Sequence, residues 1–94
     1  MAKRCKITRY LTIEGQFASG SFPDWICHRA KKLSLSGWVR PQGEALIHVL
    51  VCGDETLVDA LEVACNLGPG DVLVDRIVQS PGNQDCMTGG FVRL

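Results

Sequence analysis

The sequence predicts an α+β domain in which two helices cover one face of an antiparallel sheet. Three observations predict it. Stretches alternating apolar and polar residues, the two-residue period of a strand, recur along the chain. Two other stretches carry apolar residues at helical spacing. Turn-forming segments, Pro41-Gln42-Gly43 and Gly68-Pro69-Gly70, punctuate them.

Cys5 to Glu14 is rich in β-formers (Ile7, Tyr10, Leu11, Thr12, Ile13) and is expected as the first strand. Gly15 to Gly20 is a loop of small residues. Ser21-x-x-Asp24 has the form of a capping box, and Pro23 is tolerated in a first helical turn. The helix should run to about Leu33, with Phe22, Trp25, Ile26, Ala30 and Leu33 tracing its apolar face. Arg29, Lys31 and Lys32 suit the negative end of its dipole. Ser36 to Arg40 is a short second strand. Glu44 to Cys52 is a third, with Ala45, Ile47, Val49 and Val51 on one face and Leu46, His48, Leu50 and Cys52 on the other. Gly53-Asp54-Glu55 should open an acidic second helix that ends before Gly68-Pro69. Asp71 to Gln79 is a fourth strand, Ser80 to Gly90 a loop, and Phe91 to Leu94 a short closing strand. The order β-α-β-β-α-β plus a terminal strand is the split-βαβ, ferredoxin-like sandwich. Right-handed crossovers put the first and third strands at its centre.

Ninety-four residues make a single domain, 1–94. Ten basic and ten acidic residues balance, so the chain is a poor default ligand for nucleic acid. The basic cluster on the first helix is expected as a solvated helix end. Tyr10 alone makes no stacking platform of the kind that binds RNA. The longest apolar run, Ala45 to Cys52, contains His48 and is too short to cross a membrane. Met1 to Lys6 is followed by no apolar stretch of the signal-peptide kind. The five cysteines, Cys5, Cys27, Cys52, Cys65 and Cys86, are odd in number and include no C-x-x-C. Free thiols in a reducing cytoplasm, with no metal site and no cofactor, are the expectation. Cys27 and His28 are helix neighbours that point apart, so they are not read as a catalytic pair.

Two segments are motif-like: Gly15-Gln16-Phe17-Ala18-Ser19-Gly20-Ser21-Phe22-Pro23, and Leu35-Ser36-Gly37-Trp38-Val39-Arg40-Pro41. Together with Gly53, Gly68-Pro69 and Val74-Asp75-Arg76-Ile77, they resemble the acylphosphatase family from about residue 7 to the end. The family pattern is roughly G-x-V-Q-G-V-x-F-R followed by L-x-G-W-V-R-N. The resemblance implies the ferredoxin-like fold and metal-free hydrolysis of a carboxyl-phosphate anhydride. It also implies a phosphate held by backbone N–H groups at a helix start, clamped by an arginine, with an asparagine orienting the water. Those arginine and asparagine positions fall on Pro23 and Pro41, which bring neither charge nor side-chain donor. Ala18, Ser19 and Gly20 also depart from the pattern, and Asp24 places a negative charge near the expected phosphate.

The expectation is therefore an acylphosphatase-like domain without turnover, acting as a binding or interaction module. A small anion would sit on Gln16, Phe17, Ala18, Ser19, Gly20 and Ser21. A second copy or another protein would cover an apolar outer face made by Tyr10, Leu46, His48 and Leu50. The alternative is an acylphosphatase whose site is rebuilt, with Gln42 or Arg40 replacing the lost groups.

Overall fold

The computed structural model describes residues 6–16, 21–43, 45–67, 72–82 and 90–94. Its elements are β1 (Lys6–Gln16), α1 (Phe22–Lys32), β2 (Ser36–Pro41), β3 (Leu46–Asp54), α2 (Glu55–Leu67), β4 (Leu73–Pro81) and β5 (Phe91–Arg93). The sheet order is β4-β1-β3-β2-β5. The α+β, ferredoxin-like arrangement is as the sequence predicts, with β1 and β3 inside the sheet.

The sheet is not wholly antiparallel. β5 runs parallel to β2, pairing Gly37 with Phe91 and Val39 with Arg93. It follows β4 from the opposite edge, which fixes its direction.

Alternation sorts the side chains into two faces. Leu11, Ile13, Val39, Ile47, Val49 and Val51 are at most 1% exposed and meet the helices. Helix α1 adds Phe22, Ile26, Cys27 and Ala30, and α2 adds Val58, Leu61 and Cys65. Both sets recur at helical spacing, so one stripe of each helix is buried.

Local chemistry moves several predicted boundaries. Ser21 already has helical backbone angles and makes no side-chain capping bond, so the expected capping box does not form. At the other end of α1, the N–H of Leu35 donates to Ala30 and that of Ser34 to Lys31. Ser34 sits at φ 58°, the left-handed residue of a Schellman stop. Gly53 belongs to β3 rather than to the second helix. Its φ is 155°, and a Cβ there would press into Leu35 Cδ2. Asp54 caps α2 instead, its Oδ1 accepting the Thr56 N–H at 3.0 Å.

Candidate functional site

β1, β2 and β5 all finish at one end of the sheet, and α1 begins there. Gly15 donates its N–H to the Ala45 carbonyl at 3.1 Å, tying the end of β1 to the start of β3. Gln42 donates its N–H to the Leu46 carbonyl at 2.8 Å and closes the β2–β3 turn beside it. The two motif segments thus meet at this end although the chain separates them.

Of the predicted anion-loop residues, Gln16 ends β1 and Ser21 precedes α1, both exposed. Phe17, Ala18, Ser19 and Gly20 lie outside the described residues. Pro23 is buried in the first turn of α1 and removes one backbone donor there. Pro41, half-buried, closes β2 opposite Ile47. Gln42 is exposed next to it.

Arg40 does not serve this end. Alternation along β2 sends it to the outer face with Trp38, and its guanidinium lies 5.5 Å from the Trp38 ring centroid. The cation that reaches α1 is Arg93. Its Nε lies 2.9 Å from Asp24 Oδ1, one residue after Pro23. Sequence reasoning missed it, because only the parallel β2–β5 pairing brings the end of the chain to α1. The Asp24 carboxylate, which alone would repel a phosphate, is paired here. The two side chains are 43% and 70% exposed, so the pair is worth only about 0–1 kcal/mol and exchanges partners at little cost.

Cys27 and His28 behave as neighbours on a helix should. Cys27 is buried with Sγ 3.8 Å from the Phe91 carbonyl oxygen, while His28 is exposed. Burial, with a smaller push from Glu62, raises the Cys65 thiol to about 12, against a small opposing pull from Arg29. That thiol is inert at neutral pH. Arg9 is held further into its charged state, first by its hydrogen bond to Asp59, and it also contacts Glu62. It lines a groove of about 310 Å³ with Ile7, Thr8, Glu55 and Pro81, at the opposite end of β1 from the start of α1. Among the described residues, no group of three or more His, Cys, Asp or Glu could hold a metal ion, and no helix is long and apolar enough to cross a membrane.

The outer face departs from expectation. Tyr10 stacks edge-on against Trp38 at 6.1 Å and lies 5.7 Å from His48. Leu50 is only 7% exposed and cannot present itself to a partner. Cys52 is not a free thiol: it is disulfide-bonded. Cys27 and Cys65 are free, as expected.

Comparison with known proteins agrees with the geometry. The acylphosphatase family model matches residues 9–92. An acylphosphatase of Acidiphilium cryptum is 36% identical over 79% of this chain and 81% of its own. One of Rhodospirillum rubrum is 32% identical over 79% and 81%. The structure of an acylphosphatase from Coxiella burnetii superposes over the whole of both chains with a TM-score of 0.88 at 18% identity, which speaks for the fold. A match across nearly the full length, in the segments that build one end of the sheet, means that this chain belongs to the acylphosphatase family.

Proposed function

We propose that this protein hydrolyses acyl phosphates, with Arg93 as the cation of a rebuilt site. The observation that carries this reading is the Arg93–Asp24 contact at the first turn of α1. An acyl phosphate needs a positive group beside backbone donors, and Arg93 meets α1 in its first turn, at Asp24. Arg93 uses Nε on Asp24, and a guanidinium has five N–H donors in all, so its remaining ones serve the phosphate. The start of α1 adds the positive end of its dipole. Gln42, at the turn beside Pro41, supplies the amide that orients the attacking water. Water adds at phosphorus, the bond to the acyl oxygen breaks, and a carboxylate leaves with inorganic phosphate as the other product. The curated relatives named acylphosphatase support this reading over the expected loss of turnover.

The test is hydrolysis of benzoyl phosphate by the purified protein beside Arg93→Met and Asp24→Asn variants. Turnover should fall about 10²–10³-fold in Arg93→Met, as for the loss of one transition-state donor. Asp24→Asn should keep or raise it. No turnover in the native protein would overturn the reading.

A second reading then follows from Pro23, which is buried and donates nothing: a module that holds a small anion at the 15–21 loop without turning it over. Binding of inorganic phosphate, lost in Arg93→Met, would identify it. As to place of action, the free Cys27 and Cys65 thiols fit the cytoplasm, whereas the Cys52 disulfide fits a more oxidising setting. Fractionation of cells with an antibody to the protein separates the two.

A further inference from the structure

Strand β4 turns two apolar residues to the core although three positions separate them. Val74 and Ile77 both pack against the buried cluster. A regular strand sends every second side chain to the same face. Counted strictly from Ile77, alternation would send Asp75 inward and Val74 outward. An unpartnered carboxylate in an apolar layer is costly. The ladder resolves the conflict. Arg76 stands opposite Glu14, and Val74 stands opposite the next residue of β1, Gly15. β4 therefore uses two residues where β1 uses one, and Asp75 has no partner across the ladder. The irregularity is a β-bulge, with the exposed Asp75 as its extra residue.

The bulge lies on an edge. β4 is the outermost strand on its side of the sheet, and among the described residues it pairs with β1 alone. A straight strand of nine residues, Leu73–Pro81, would present an unbroken row of backbone donors and acceptors to another strand. Leu73 and Val78 would add apolar surface to that row, being 63% and 43% exposed. A bulge bends and twists its strand, which breaks the row near one end. Pro81, which has no N–H, closes the other end. The charge of Arg76 is drawn the opposite way, across the ladder to Glu14 at 2.8 Å.

We infer that the Asp75 bulge keeps the β4 edge from pairing with the same strand of a second copy of this chain. A second copy is the partner this edge fits. A two-fold axis through a sheet edge sets one strand antiparallel to itself. With the axis at Val78, Arg76 comes opposite Ser80 of the second copy and Ile77 opposite its Gln79, so no like charges meet. The side chains from Arg76 to Ser80 thus permit the pairing, and the irregular backbone at Asp75 opposes it.

Two variants straighten the strand by different means. Deletion of Asp75 restores strict alternation, because Val74 then stands two positions from Ile77 and keeps its face. The exchange Val74→Asp with Asp75→Val restores it at unchanged length, composition and charge. Asp75→Asn removes the charge and keeps the bulge. Sedimentation equilibrium at millimolar concentration compares all three with the native protein, after circular dichroism has checked the fold of each. The native protein and Asp75→Asn should sediment as monomers. The straightened variants should double in mass, and if one of them fails to fold the other carries the test. Adding Val78→Lys should return them to monomers, because the axis would set two lysines side by side. Folded, straightened variants that stay monomeric would overturn the inference. Equal association of Asp75→Asn would overturn it too, by assigning the effect to charge. Association that survives Val78→Lys would place the contact elsewhere and refute it, and so would a native protein that dimerises through β4.

Discussion

The two faces of the sheet are built on different terms. The inner face is a layer of Leu11, Ile13, Val39, Ile47, Val49 and Val51 closed by two helices, and among the described residues no polar side chain is buried within it. The outer face holds Tyr10, Trp38, His48, Leu50 and Cys52, joined by ring contacts, a hydroxyl–sulfur hydrogen bond and a disulfide. Area holds the first, and it is spread over many residues. A few particular contacts hold the second, one of them dependent on redox conditions. Stability of the inner face should therefore respond to the size of a side chain, and that of the outer face to its chemistry.

The sharpest way to break this comparison is to empty the inner face. Phe22→Ala should cost about 3–5 kcal/mol and Leu61→Ala about 2–5, measured by urea unfolding. Both side chains are fully buried. An outer-face truncation with the same cost would erase the distinction. Gly37→Ala comes next, because it disturbs both faces at once. Gly37 has φ 132°, and a Cβ there would overlap the Leu50 carbonyl oxygen. Backbone strain of about 1–3 kcal/mol is the least it should cost. The same unfolding titration reads it, with Trp38 fluorescence reporting the displaced β2.

Alkaline pH probes the inner face by charge. Burial holds the Cys65 thiol near 12 in the folded protein, against an ordinary 9.0. Below pH 9 both states keep the proton. Above it the unfolded chain releases the proton first, so stability falls as pH rises from about 9 toward 12, by at most about 1.4 kcal/mol per pH unit from this group. Cys65→Ala should flatten that part of the profile; an unchanged slope would show that other groups set it.

Trp38→Leu sharpens the account of the outer face. It keeps apolar bulk and removes the edge-on contact with Tyr10, so a loss of about 0.5–1.5 kcal/mol is expected. The smallest effect belongs to Arg76, whose ion pair with Glu14 lies in solvent with side chains 69% and 41% exposed. Arg76→Ala should change stability by about 0–1 kcal/mol, less still in high salt.

The inner face was readable from sequence because it obeys periodicity. Ile47, Val49 and Val51 alternate, and Phe22, Ile26 and Ala30 recur at helical spacing, so each declares its side without reference to the rest of the chain. The outer face obeys pairing instead. Leu46, His48 and Leu50 announced an apolar surface, but nothing local says that Leu50 is only 7% exposed. The odd number of cysteines hid the disulfide, since free and paired cysteines coexist in one chain. The candidate site divides in the same way. Gly15 to Pro23 and Leu35 to Pro41 were visible as motifs, and their meeting at one end follows from the fold. Arg93 was invisible, because no spacing rule connects the second-to-last position of Gly90-Phe91-Val92-Arg93-Leu94 to the start of the first helix. Arg40, which the motif displayed, turns to the wrong face for the same alternation that made β2 recognisable.

The Arg93–Asp24 contact has a consequence for the order in which the protein assembles. Helix α1 and the loop before it belong to the first third of the chain, whereas Arg93 is the penultimate residue. Contacts between distant parts of a chain form slowly, since a large loop must close first. A growing chain would complete β1, α1, β2 and β3 before Arg93 can meet Asp24 at the start of α1, and would make that contact only when β5 joins the edge of the sheet. The start of α1 thus gains this partner last, and a chain that stopped short of Arg93 would leave Asp24 without it.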